Sequence, residues 1–137
     1  MSPADVTPRP ALAYSEASAP FWAGLAEGRL LLPHCERCRK AFFYPRRSCP
    51  RCWSSEITWE ASAGRGTIFS VSTVHVPFDP SFEVPYSVAL IDLAEGVRIP
   101  ARLEPGDEPF AIGENVHIVF AADPAATLPA FRRVAAA

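Results

Sequence analysis

The sequence predicts a mainly β fold built of short elements: a short N-terminal helix, a small cysteine-held ribbon, then a five-stranded barrel. Three observations carry this expectation. All four cysteines fall in "HCERCRKAFFYPRRSCPRCWS", residues 34–54, as two Cys-x-x-Cys pairs with ten residues between them. From Gly66 onward, short runs rich in Val, Ile and Phe alternate with turn signals. Fifteen prolines and seven glycines in 137 residues favour many turns over long helices.

Each element has its own signal. "MSPADVTPRPALAY", residues 1–14, reads as a loosely docked arm, because Pro3, Pro8 and Pro10 oppose regular structure. "SAPFWAGLAEGR", residues 18–29, reads as a short helix. Ser18 can cap it, Pro20 suits its first turn and Gly28 can end it. Phe21, Trp22 and Leu25 form its apolar side, which suits core packing or a partner contact. "RLLLP" and "AFFYP" flank the first cysteine pair as ribbon strands, and "EITWEAS", 56–62, leads into "GRG" at 64–66. Barrel strands are expected over 67–76, 86–93, 97–103, 115–121 and 130–135. "AEG" at 94–96 is a hairpin turn, and 105–114 is a longer loop. Five such strands, with the long connection between the third and fourth, suggest a small Greek-key barrel of the OB type. The expected division is an arm and helix at 1–28, a ribbon at 29–62, and the barrel with its tail at 63–137.

The cysteine spacing carries the clearest chemistry. No basic, apolar leader opens the chain, and no apolar run approaches the ~20 residues of a bilayer span. A reducing, cytoplasmic setting away from membranes is therefore the expectation, and there paired cysteines hold metals more often than disulfides. Cys35, Cys38, Cys49 and Cys52 form two knuckles that can close a tetrahedron around one Zn(II). Four sulfurs leave no open coordination position, so the metal is expected to be structural. It would supply folding energy to a segment too small for its own core. Iron, in a rubredoxin-like site, is the rival ion. Gly is common just after the second cysteine of such knuckles, where the backbone turns left-handed. Arg39 and Trp53 stand there instead, so strain or a different turn is expected. His34, beside the first ligand, reads as a surface residue.

Charge is divided sharply along the chain. Residues 29–52 carry six Arg and one Lys against Glu36, formally +6. Residues 53–137 carry five Arg against eleven acidic residues, formally −6. Zinc with four thiolates adds about −2 to the ribbon, which stays basic. That face either docks an anion or keeps the module soluble.

No catalytic constellation emerges. The cysteines belong to the metal, and His75 and His117 sit in β-rich stretches as structural or surface residues. Asp92 has no obvious partner, and no nucleophile elbow, dinucleotide fingerprint or P-loop is present. Absence of these motifs favours binding or scaffolding.

Taken in order, "PFWAGLAEGRLLL", the cysteine ribbon, "WEASAGRGTIFSVSTVH" and "PYSVALIDLAEGVRIPARL" resemble the zinc-ribbon/OB-fold family of acyl-CoA-associated proteins, over roughly residues 18–121. The resemblance implies a non-catalytic accessory subunit in a hetero-oligomer of lipid metabolism. It would bind or channel acyl-CoA and support a thiolase-like partner, whether thiolase, acyltransferase or aldolase. Arginine forks suit the phosphates of CoA. Candidate contacts are Arg37, Arg39, Lys40, Arg46 and Arg47, with Phe43 and Tyr44 to stack or line a passage, and Arg51, Phe42 and Trp53 nearby. At least half of the aromatics are expected to pack the ribbon onto the barrel. Phe21, Trp22 and Leu25 are the candidate partner contacts. The alternative is a single-stranded nucleic-acid binder, since ribbons and OB barrels both serve that role. The acidic barrel weighs against it.

Overall fold

The computed structural model describes residues 15–77, 80, 83–106, 108–120 and 129–134. The expected N-terminal arm lies outside them. A 3₁₀ turn at Glu16–Ser18 runs into α1, Ala19–Ala26. The Ser15 side chain, not that of Ser18, provides the cap, accepting from the Ser18 N–H. The extra turn ahead of Ala19 moves the capping position three residues upstream. Gly28, at φ +78°, ends the helix in the left-handed region, as its position predicts.

The ribbon is a three-stranded sheet in the order β2–β1–β3: β1 Leu31–Cys35, β2 Lys40–Ala41 and β3 Ile57–Ala61. Both neighbours of β1 are antiparallel to it. The second ribbon strand is much shorter than "AFFYP" suggests. The Phe42 N–H still bonds the Pro33 carbonyl at 3.0 Å. Proline has no N–H to return, so the ladder stops there. Phe42 then turns inward and is buried.

The second half closes a barrel in the order β4–β5–β6–β8–β7, with β7 paired back to β4. Its strands are β4 Arg65–Val74, β5 Tyr86–Leu93, β6 Arg98–Leu103, β7 Asn115–Val119 and β8 Ala130–Arg133. β6 and β8 run parallel and every other pair antiparallel, which is the OB arrangement that five short strands predict. β4 serves two neighbours because a bulge between Ile68 and Ser70 bends it. Near its start, Gly66 and Thr67 pair with both β5 and β7.

The "GRG" stretch is the hinge of this closure. Gly64, at φ +72°, lies so close to the Ile118 side chain that a Cβ has no room. A Cβ on Gly66 would stand 2.5 Å from the Asp92 carbonyl oxygen on β5. The β5–β6 turn grips the joint as well. The Glu95 carboxylate accepts from the Ser62 hydroxyl at 2.7 Å and the Ala63 N–H at 2.9 Å.

Ile68, Ile91, Ile99, Leu103, Val116 and Phe131 fill the barrel. Phe21, Leu30 and Leu32 belong to the same buried cluster, so helix and ribbon share the barrel's core. Removing each such side chain from water contributes roughly 1.5–3 kcal/mol. Outside, Arg98 pairs with Asp92 at 2.6 Å across the hairpin and covers the Phe69 ring. Asp92 thus has a partner six residues on, brought opposite by the β5–β6 register. Glu114 accepts the Ala111 N–H and pairs with Arg133 at 3.1 Å.

Gly64→Ala is expected to lower stability by about 2 kcal/mol or more, read from thermal or urea unfolding. An unchanged midpoint would contradict the close approach to Ile118. The Ala111 N–H and Arg133 hold the Glu114 carboxyl below its ordinary 4.5. Its contribution is therefore complete above that ordinary value and lost as pH falls through the lower folded one. The stability gap between the protein and Glu114→Gln should be widest near neutral pH and close on acidification.

Candidate metal centre

Two local copies of one turn build the centre. β1 delivers Cys35 at its end, and the chain reverses so that the Arg39 N–H bonds the Cys35 carbonyl at 2.8 Å. Fourteen residues later the pattern repeats, with the Trp53 N–H on the Cys49 carbonyl at 2.9 Å. Both turns need a left-handed residue after the second cysteine, and Arg39 (φ 57°) and Trp53 (φ 64°) adopt it. The missing glycines therefore alter the cost of the turn, not its shape. That cost is of order 1 kcal/mol or more at each position.

The turns bring the four sulfurs together. Cys35 Sγ lies 3.6 Å from Cys52 Sγ, and Cys38 Sγ 3.6 Å from Cys49 Sγ. All four lie within 4.8 Å of one another, and none forms a disulfide. A tetrahedron with Zn–S bonds of ~2.3 Å has edges of roughly 3.8 Å, so the cluster fits one zinc. Backbone N–H groups of Cys38 and Arg51 point at the sulfurs of Cys35 and Cys49, at 3.5 and 3.4 Å.

The surroundings prepare the thiols unequally. The Cys38 N–H holds the Cys35 thiol below its usual value. Burial raises Cys49, but the N–H groups of Cys52 and Arg51 outweigh it and bring that thiol down to about 6. Burial pushes Cys38 up to about 11, helped by the sulfurs of Cys35 and Cys49. At Cys52 the Ser54 N–H favours the thiolate, yet burial and the sulfurs of Cys35 and Cys49 prevail and raise it. One sulfur in each knuckle is thus readied as an anion, and a metal ionises the other. With every ligand a cysteine, the zinc is structural.

His34 is less exposed than its place beside a ligand suggests. It stands on the central strand, with Nδ1 buried and 3.7 Å from carboxylates of Glu36 and Glu60 on either side. Around the centre, Arg37, Arg39, Lys40, Arg46, Arg47 and Arg51 are all exposed. The aromatics divide. Phe42 is buried, and Phe43 is half-buried edge-on to Phe21 at 5.3 Å. Tyr44 and Trp53 are exposed, at 46% and 80%. Phe21 is buried in the core at 1% exposure, with Trp22 and Leu25 packed beside it.

Of the predicted binding residues, Arg46 and Arg47 meet in a groove of about 420 Å³ with Glu16, Pro20, Ile57 and Trp59. Sequence reasoning did not single out Trp59. The alternation of Ile57 and Trp59 in "EITWEAS" is the signal that places both on one face of β3. A wider hollow of about 800 Å³ lies over β5, β4 and β7, lined by Arg65, Thr67, Asp92, Asn115 and His117.

Comparison with known proteins follows this division. Residues 22–58 match the rubredoxin-like zinc ribbon domain of ChsH2, and residues 59–121 its C-terminal OB-fold domain. The chain belongs to the ChsH2 (DUF35) family. Within it, the chain is 33% identical over 103 residues to a DUF35 domain-containing scaffold protein of Methanocaldococcus jannaschii, covering 72% of this chain and 73% of that one. It is 37% identical over 134 residues to a probable enoyl-CoA hydratase alpha subunit of Thermomonospora curvata, covering 95% of this chain but only 41% of that longer protein. The benzoylsuccinyl-CoA thiolase subunit BbsA of Thauera aromatica is 31% identical over 84 residues, 61% of this chain and 58% of BbsA. Among solved structures, the chain superposes on one from "Ltp2-ChsH2(DUF35) aldolase" with TM-score 0.78 and 34% identity, over 91% of this chain and 98% of that one.

The purified protein is expected to hold about one zinc per chain by elemental analysis. Chelation should broaden or collapse amide signals of β1–β3 while the barrel signals of β4–β8 persist. Four freely titrating thiols in metal-free but fully folded protein would contradict the assignment.

Proposed function

We propose that this chain is a non-catalytic accessory subunit of a thiolase-like enzyme complex, in which it supports the partner and binds or channels its acyl-CoA. The observation that carries the reading is the match to nearly the whole chain solved in the Ltp2-ChsH2(DUF35) aldolase. The names of the relatives add a chemical argument. Hydratase, thiolase and aldolase make or break different bonds, so a small module common to all three does not supply one set of catalytic groups. Its shared contribution is structural or concerns the CoA thioester. This fits a chain whose cysteines are all committed to a metal.

The residues divide the work accordingly. Arg37, Arg39, Lys40, Arg46 and Arg47 offer guanidinium and ammonium donors to CoA phosphates. Tyr44, exposed beside half-buried Phe43, offers a ring at the edge of that basic face. Phe21 is enclosed by the core, so the partner contact from α1 falls to Trp22 and Leu25. Nucleic-acid binding draws no support from charge. Three of the barrel's five arginines, Arg98, Arg132 and Arg133, are tied to Asp92, Glu104 and Glu114. A phosphate-tracking groove needs such charges free.

Co-expression with a thiolase-like subunit is expected to give a stable complex on size-exclusion chromatography, while the isolated chain turns over no acyl-CoA. Trp22→Ala should weaken that complex more than it lowers the melting temperature of the chain. Turnover of an acyl-CoA by the isolated chain would contradict the reading, as would a chain that stays alone beside every such partner.

A further inference from the structure

A groove at the edge of the ribbon gathers residues from three parts of the chain. It is lined by Glu16 and Pro20 at the start of the helical segment and by Arg46 and Arg47. Ile57 and Trp59, two residues apart on β3, line it as well. β3 is the outer strand of its sheet, so this face has no further strand beside it. The indole packs against the buried cluster, which fixes its place while it still lines the groove. Arg46 is exposed and has no ion pair among the described residues, whereas Arg47 bonds Glu16 at 2.7 Å.

We propose that this groove receives the adenosine 3′-phosphate end of coenzyme A. The adenine lies on Trp59 and Ile57, and Arg46 and Arg47 take the phosphates. The proposal rests on the CoA-handling reading above and locates it. Three features fit a nucleotide better than the thiol-bearing arm of CoA. A flat aromatic surface beside an aliphatic one suits a purine face, since stacking on a ring is favourable for any base. Two adjacent guanidinium groups match phosphate oxygens, which they bond in pairs. The pantetheine arm carries neither a ring nor a negative charge, so it gains nothing from this composition.

Glu16 then has a definite part. Its carboxylate now sits where a phosphate oxygen would bond Arg47, and the pair is held in the open, with side chains 76% and 88% exposed. An ion pair so exposed is weak. A phosphate monoester carries nearly two negative charges and displaces it, leaving Glu16 as a competing anion at the rim. Removing that carboxylate should therefore tighten binding, the opposite of what removing a ligand contact does.

The test is calorimetric titration of the zinc-loaded full chain with CoA, 3′-dephospho-CoA and pantetheine. CoA is expected to bind, 3′-dephospho-CoA roughly tenfold more weakly, and pantetheine not measurably. Arg46→Glu should weaken CoA by about tenfold or more, and Glu16→Gln should strengthen it a few-fold. Trp59→Phe should keep most of the affinity and Trp59→Leu lose roughly tenfold, with zinc content and circular dichroism checking the fold of both. Arg46 and Glu16 are surface residues, so their variants report on binding even where a Trp59 variant unfolds. CoA binding that is indifferent to Arg46→Glu and Glu16→Gln would overturn the groove and leave the CoA-handling reading standing. Equal binding of CoA and pantetheine would do the same. No binding of CoA by the zinc-loaded chain would overturn both.

Discussion

Four sulfurs converging on one metal are the constraint on which the ribbon depends. Residues 30–61 bury few apolar side chains, chiefly Leu30, Leu32 and Phe42 beside Cys35 and Cys49. β2 is two residues long. A sheet of that size has too little core to hold six basic groups at its surface in a defined arrangement. The metal supplies what the core lacks, and it also carries the cost of the left-handed backbone at Arg39 and Trp53. The barrel needs no such staple. Its closed ladder and aliphatic filling suffice.

The two halves therefore stand on different physics, and the contacts between them decide what the molecule presents. Phe21, Leu30 and Leu32 insert the helix and ribbon into the barrel's buried cluster, and Glu95 grips Ser62 and Ala63 at the joint. Gly64 and Gly66 let the chain pass from one sheet to the other at distances no side chain permits. The outcome is a basic ribbon set on an acidic barrel whose arginines are largely neutralised in pairs. Most of the unpaired positive charge among the described residues is left to the ribbon, where an anionic cofactor or a partner's acidic surface finds it.

Much of this was legible in the sequence because it is local. Two Cys-x-x-Cys pairs specify their own turns, so Cys35, Cys38, Cys49 and Cys52 needed no tertiary information. Short runs rich in Val, Ile and Phe between turn signals placed five barrel strands to within a few positions, and Gly28 marked the helix end. What escaped was non-local or depended on what a residue lacks. Pro33 cuts the β2 ladder only because Phe42 lies opposite it. Asp92 looked solitary until the β5–β6 register set Arg98 beside it. Trp59 reads as one more strand aromatic. Only the fold brings it to Glu16 and to the neighbouring Arg46 and Arg47, which come from two other parts of the chain.

The measurement that bears most directly on this picture is CoA affinity across a zinc cycle. Titrate the zinc-loaded chain, strip the metal under reducing conditions, titrate again, then restore one equivalent of zinc and repeat. Affinity that disappears with the metal and returns with it is the expected result, while circular dichroism shows the barrel intact throughout. The same affinity with and without zinc would mean that the sulfur-held ribbon organises nothing the cofactor uses.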